Sequence, residues 1–183
     1  MKSGRGHRRR LGDLHPTEKR WFAVRTHFKW EKLVCGRLEK KNIEVYLPLL
    51  HVVRRYASRT KRVQLPLINN FVFVKITESD YIKVLETEGA IFFLKDAKVL
   101  KAIPEREIAI LRLVVGEEVD PSIDVAPISY DVGQEVEIVR GQLAGMKGKL
   151  VEQKGKKKFV VELTGVELEL RMEIKMDMIR PLV

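Results

Sequence analysis

The stretch from Asp131 to Gln153, DVGQEVEIVRGQLAGMKGKLVEQ, constrains the fold more than any other part of the chain. Val136 and Ile138, followed by Val139, alternate with charged residues in the period of a half-buried strand, and Arg140-Gly141-Gln142-Leu143-Ala144-Gly145 then breaks the pattern into a loop. A second strand is expected at once from Lys147-Gly148-Lys149-Leu150-Val151, with Gly148 where the chain needs either positive φ or no side chain. Taken alone, this pattern also fits an ordinary hairpin with a glycine-rich turn. Downstream, Lys154-Gly155-Lys156-Lys157-Lys158 reads as a charged turn before Phe159-Val160-Val161. Val166 to Leu170 alternates as a strand, and Met178-Ile179-Arg180-Pro181 reads as an edge strand ended by proline.

A chain of 183 residues with 45% hydrophobic content has enough apolar surface for packed cores, and two small domains suit it better than one. No run approaches the roughly 18 apolar residues of a membrane span, and the basic start lacks an apolar segment behind it, so an unexported, cytoplasmic protein is expected. Cys35 is the only cysteine, which excludes a disulfide framework and a paired-cysteine metal site. The net charge of +10 favours a polyanionic partner. Residues 1–20 hold about +5 of it, 21–115 about +8, 116–131 about −5 and 132–183 about +2. The polyanion should therefore meet the first domain, and the acidic piece with Pro121 and Pro127 reads as a linker.

Residues 1–20 are without periodicity and read as a disordered basic tail, in which Arg8-Arg9-Arg10 either touches nucleic acid nonspecifically or is only solvated. Trp21 to Arg25 forms a strand, and Lys29 to Lys41 a helix with Trp30, Leu33, Val34 and Leu38 on one face. A second strand starts at Val45-Tyr46-Leu47-Pro48 and continues through Leu50 to Val53. A basic excursion follows, then Val63 to Leu67 and Phe71 to Ile76 as a return strand. Ser79 caps a short helix carrying Ile82 and Leu85, Ala90 to Leu94 is a strand, and Pro104 opens a helix with Ile108, Leu111 and Val115 inward. The order β-α-β-β-α-β-α predicts an α+β fold, an antiparallel sheet with helices packed on it.

Two resemblances attach to these residues. The strand, basic glycine loop and Gly148-Lys149-Leu150-Val151 resemble a KOW motif, which implies a small SH3-like β-barrel. Trp21-Phe22-Ala23-Val24-Arg25-Thr26, the helix, the strand ending near Pro48 and Pro66-Leu67-Ile68-Asn69-Asn70-Phe71-Val72-Phe73-Val74 resemble the N-terminal (NGN) domain of the NusG family of transcription elongation factors. The division implied is a tail at 1–20, an NGN-like domain at 21–115, an acidic linker at 116–131 and a KOW domain at 132–183. Asn69-Asn70 replaces the family's usual Pro-Gly, and the basic strand-to-strand loop is short. Both features are more like the specialised RfaH and UpxY-type antiterminators than the housekeeping factor. Asn tolerates the left-handed conformation that Gly would supply there.

No active-site motif is present, the four histidines His7, His15, His27 and His51 are scattered, and neither enzyme activity nor a cofactor or metal is expected. The resemblance implies that an apolar patch on the sheet grips the clamp helices of RNA polymerase, with Tyr46, Phe71, Phe73 and Phe92 at the matching positions; any of these aromatics is also a candidate for the core. It further implies contact of Arg25, His27, Lys29 and Lys32 with the nontemplate DNA strand; the alternative is that they form only a solvated helix start. Arg54, Arg55, Arg59, Lys61 and Arg62 are expected either to meet duplex DNA electrostatically or to solubilise their loop. In the KOW loop, Leu143 and Met146 either face a protein partner, which the resemblance implies is a ribosomal protein or a termination factor, or plug the barrel. The expected function is a monomeric, noncatalytic elongation and antitermination factor. The alternative is a ribosome-associated or RNA-binding KOW protein.

Overall fold

The computed structural model describes residues 12–55, 59–115, 123–129, 133–153 and 156–182. They divide into two compact units: one runs from the start of the described chain through Tyr46 and resumes at Asn70–Ala102, and the other comprises Leu47–Asn69 and the described residues from Ile103 on. The fold is α+β with antiparallel sheets throughout, as the sequence predicts.

In the first unit, β1 (Arg20–Thr26), β2 (Glu44–Tyr46), β5 (Phe71–Ile76) and β6 (Ala90–Phe93) form a sheet in the order β2-β5-β1-β6. Helix α1 (Glu31–Lys40) packs on β2 and β5, and α2 (Tyr81–Leu85) packs on β6. The register pairs Phe22 with Val74 and Val24 with both Val72 and Phe93. One face is therefore a continuous apolar layer of Phe22, Val24, Val72, Val74, Ile76 and Phe93, all buried, with Val34, Leu38 and Val84 of the helices also buried. Burying each of these side chains contributes roughly 1.5–3 kcal/mol of transfer free energy before the entropy of ordering them.

Several local expectations change. The first helix begins at Glu31 rather than Lys29, because Lys29 adopts φ 63° and Trp30 is the cap. Its buried positions are Glu31, Val34 and Leu38, while Leu33 is 49% exposed. Residues 12–20, expected in a disordered tail, are held to the first unit: Asp13 N–H donates to Leu100 O at 2.8 Å, Leu14 is buried, and His15 O accepts from Glu78 N–H. The preceding residues, with Arg8-Arg9-Arg10 and His7, lie outside the described residues. Ser79 does not cap α2. Thr77 instead precedes a 3-10 turn, its N–H and hydroxyl both donating to Asp80 Oδ2.

In the second unit, β3 (Leu49–Arg55) and β4 (Thr60–Pro66) form a separate two-stranded ribbon, so Val63–Leu67 is not part of the return strand. The strands β7 (Asp124–Pro127), β8 (Gln134–Ile138), β9 (Lys147–Gln153), β10 (Lys156–Leu163), β11 (Leu168–Glu173) and β12 (Ile179–Pro181) form one sheet in the order β12-β8-β9-β10-β11-β7, around Val136, Ile138, Phe159, Val161, Leu163 and Leu170. Strand β7 lies in the segment expected to be a linker. It pairs with β11, and buried Glu169 fastens its end by accepting from Ser129 N–H at 3.0 Å and from Arg171. Val166 falls in the turn before β11 rather than in the strand.

Helix α3 (Glu105–Val114) belongs to the same unit as the six-stranded sheet. Its Ile108, Leu111 and Val114 are buried, Val114 taking the inward place expected for Val115. Glu107, only 2% exposed, accepts from Thr164 Oγ1–H at 2.8 Å and from Gly165 N–H at 3.0 Å. These bonds satisfy a carboxylate whose burial would otherwise be costly.

Candidate functional site

Direct pairing across an antiparallel ladder places residues on one face. Arg25 pairs with Phe71 on one side and with Phe92 on the other, and Phe73 pairs with Ala23 and Tyr46. Because period two puts Phe71 and Phe73 together, all four predicted aromatics share the face opposite the helices. They differ in access. Phe92 is 50% exposed beside Ile91 at 44%, Phe71 and Tyr46 are half-buried, and Phe73 has no exposed surface. Phe73 therefore takes the core role that the sequence left open, its ring 6.3 Å from that of Tyr46. The guanidinium of Arg25 lies 5.0 Å from the Phe71 ring centroid, a cation–π contact that leaves positive charge between two aromatics.

The β1–α1 connection carries the second group. His27, Lys29 and Lys32 are exposed as expected. Sequence reasoning passed over Phe28, which is 71% exposed, the most of any large hydrophobic residue described, with Lys29 Nζ 4.9 Å from its ring centroid. The signal was present in His27-Phe28-Lys29-Trp30, where aromatic and basic residues interleave. The connection is held from beneath. His27 N–H donates to Gly89 O at 3.0 Å, the His27 and Trp30 rings meet edge-on at 5.7 Å, and Arg37 lies over Trp30 at 5.4 Å. Arg37 also bonds Glu88 O at 2.8 Å and pairs with its carboxylate. Gly89 has φ 95°, and a Cβ there would lie 2.7 Å from Trp30 Cε3, so the loop needs glycine for both conformation and space.

At the turn into β5, Asn70 adopts φ 61°, the left-handed conformation anticipated for this departure from Pro-Gly. Its N–H donates to Glu31 Oε1 at 2.7 Å, and its carbonyl accepts from Thr26 N–H at 2.9 Å. Glu31 is thus buried for a reason: its carboxylate caps the turn that presents Phe71.

On the ribbon, Arg59, Lys61 and Arg62 are exposed, whereas the side chains of Arg54 and Arg55 lie outside the described residues. In the β8–β9 loop, Gly141 and Gly145 take φ 82° and 87°, Ile138 N–H donates to Met146 O at 2.9 Å, and Gly145 N–H donates to Ile138 O at 2.7 Å. The loop splits the two predicted contact residues: Met146 is buried, taking the plug role, and Leu143 is half-buried. Exposed Val139 and Met176 extend the apolar surface of this unit. Gly148 is needed for space, since a Cβ would lie 2.5 Å from Val160 O and 2.8 Å from the Phe159 ring. Among the described residues no three His, Cys, Asp or Glu side chains converge on a metal-sized site, and no helix is long and apolar enough to cross a membrane. Cys35 sits beside Glu39, and burial first, then that carboxylate, pushes its thiol up to about 11, so it stays protonated at neutral pH.

Comparisons with known proteins bear on these surfaces. The family model NusG, described as transcription termination factor nusG, matches residues 19–112. A solved structure titled "Domain interaction in Thermotoga maritima NusG" is similar over 91% of this chain and 98% of its own, at 19% identity and a TM-score of 0.51. Two structures of an MjSpt4:Spt5 complex, conformations A and B, align over 88% of this chain and 97% and 96% of theirs, at 20% and 21% identity and a TM-score of 0.31 each. No curated protein matches.

Proposed function

The chain belongs to the NusG family of transcription factors, and from that premise we propose that it is a noncatalytic elongation and antitermination factor that docks on RNA polymerase through the exposed Phe71–Arg25–Phe92 end of its first sheet. The observation that carries the reading is the row Phe71–Arg25–Phe92, which joins a half-exposed aromatic, a cation and a second aromatic on one rigid sheet face. Aromatics on a preformed surface add large contact area at little ordering cost. Docking across the clamp would favour the closed polymerase, and pausing would fall only by the difference in affinity for the two states. In this reading His27, Phe28 and Lys29 meet the nontemplate strand, Phe28 as a stacking platform and the cations at phosphates. The ribbon meets duplex DNA, and the Leu143 loop recruits a ribosomal protein or a termination factor. Asn69-Asn70 and the short basic ribbon favour a specialised paralogue acting on particular operons.

The test is binding of the full chain to core RNA polymerase, compared with a variant carrying Phe71→Ala and Phe92→Ala. Interface anchors cost about 2 kcal/mol or more on truncation, so a loss of at least roughly 30-fold is expected. Equal binding by parent and variant would exclude this face. Binding to ribosomal RNA with none to polymerase would favour an RNA-binding KOW protein instead.

A further inference from the structure

The β3–β4 ribbon carries a feature that electrostatic contact alone does not require. Its ladder pairs Leu50 with Leu65, His51 with Gln64, Val52 with Val63 and Val53 with Arg62. One face therefore holds Leu50, Val52, Val63 and Leu65, all half-buried, and the other holds His51, Val53, Arg62 and Gln64, all exposed. On the outward face the Gln64 amide nitrogen donates across the ladder to His51 Nε2 at 2.9 Å, which fixes the plane of an exposed amide.

Resting on the reading that this ribbon meets nucleic acid, we propose that its outward face reads base edges in the major groove of duplex DNA. Arg62 and Gln64 are the reading side chains, and His51 is the positioning residue for Gln64. A two-stranded ribbon fits the B-DNA major groove, about 12 Å wide, whereas the deep, narrow major groove of A-form RNA excludes side chains. The described outward face has no Phe, Tyr or Trp on which unpaired bases would stack. Arg62 and Gln64 are two residues apart on one strand, a step of about 6.8 Å, and two base-pair steps of DNA rise roughly the same distance. Arginine pairs with the O6 and N7 of guanine, and glutamine with the N6 and N7 of adenine. The ribbon thus favours a guanine and an adenine separated by one base pair, while exposed Arg59, before β4, and Lys61, which alternation sets on the other face of the strand, reach flanking phosphates with their long side chains.

The experiment is selection from a randomised duplex DNA library by the full chain, followed by affinity measurements over a salt series. Enrichment of a guanine and an adenine one base pair apart is expected. Gln64→Ala and His51→Ala should each cut the preference for adenine at least about 5-fold, leaving affinity for unselected duplex within about twofold; Arg62→Ala should remove the preference for guanine by a similar factor. Arg59→Ala combined with Lys61→Ala should instead weaken binding to every duplex alike and lower the slope of log affinity against log salt by about 2. All these residues are exposed, and matching thermal unfolding checks that the variants fold. Salt-dependent duplex binding without enrichment, or an enrichment that Gln64→Ala and Arg62→Ala leave intact, would overturn base reading while sparing the electrostatic contact. Binding confined to RNA or single strands would also overturn it. The absence of any duplex binding that Arg59 and Lys61 support would overturn the underlying reading as well.

Discussion

At the residue scale, the turn before β5 depends on two residues 39 positions apart in sequence, the Asn70 backbone and the Glu31 carboxylate. Asn70 occupies a left-handed conformation that costs an ordinary L residue about 1–2 kcal/mol. Asn70→Ala should lower unfolding stability by that order in urea titration, whereas Asn70→Gly should be close to neutral. Glu31→Ala should cost about 1–3 kcal/mol, because it leaves the Asn70 N–H without its acceptor. Asp80 supplies a pH-dependent contribution. Burial pushes its carboxyl up, but hydrogen bonds from Lys83 and Thr77 outweigh this and hold it below its ordinary value of 3.8. A depressed carboxyl stabilises the fold above the unfolded-state value, and that stabilisation disappears as pH falls through the folded-state value. Asp80→Asn should therefore lower the melting temperature at pH 7, and the gap should close as pH is brought below 3.8.

At the element scale, the six-stranded sheet's tolerance for change is set by close approaches of backbone to backbone. A Cβ at Gly148 meets Val160 O at 2.5 Å and the Phe159 ring at 2.8 Å, neither of which can move without opening the β9–β10 pair. At Gly165 the nearest atoms are Glu107 Oε2 at 3.0 Å and Ile103 Cα at 3.1 Å, a milder crowding. Gly148→Ala should thus cost about 1–3 kcal/mol and Gly165→Ala less. Gly165→Ala should also speed hydrogen exchange of the α3 amides, because it disturbs the Glu107 contact. Equal effects of the two substitutions on stability would contradict this ordering. Lys147 to Val151 announced a glycine with a structural duty, and the alternative that holds is space rather than positive φ.

At the scale of the whole molecule, the proposed DNA contact by the basic ribbon and the proposed docking through the aromatic row are two modes of binding that salt should separate. Phosphate neutralisation by the ribbon, as proposed, should weaken steeply between 50 and 200 mM salt, by about tenfold or more for a few contacts. The proposed docking through Phe71 and Phe92 would bury apolar surface and should change far less over the same range. Parallel salt titrations of DNA and polymerase binding by the full chain check this. Equal salt slopes would mean that the aromatic row does not carry docking. These measurements need the full chain, because the ribbon and α3 group with the six-stranded sheet rather than with the first sheet.

Strand period, the left-handed turn at Asn70, the basic charge of residues 54–62 and the glycine loop were legible in the sequence because each follows from local rules: side-chain alternation, backbone sterics and charge; that the charge sits on a two-stranded ribbon was not. The family resemblance grouped Tyr46, Phe71, Phe73 and Phe92, and alternation set Phe71 and Phe73 on one face, yet neither could rank the four, since period two assigns a residue to a face and says nothing of what covers that face. Only the tertiary structure decided that Phe73 is buried and Phe92 exposed, that Met146 turns inward, and that Asp124–Pro127 is a strand inside an acidic segment. The burial of Glu31, Glu107 and Glu169 was illegible for the same reason. A carboxylate reads as solvated until the donors that satisfy it are known, and here the donors Asn70, Gly165 and Ser129 lie 39, 58 and 40 positions away.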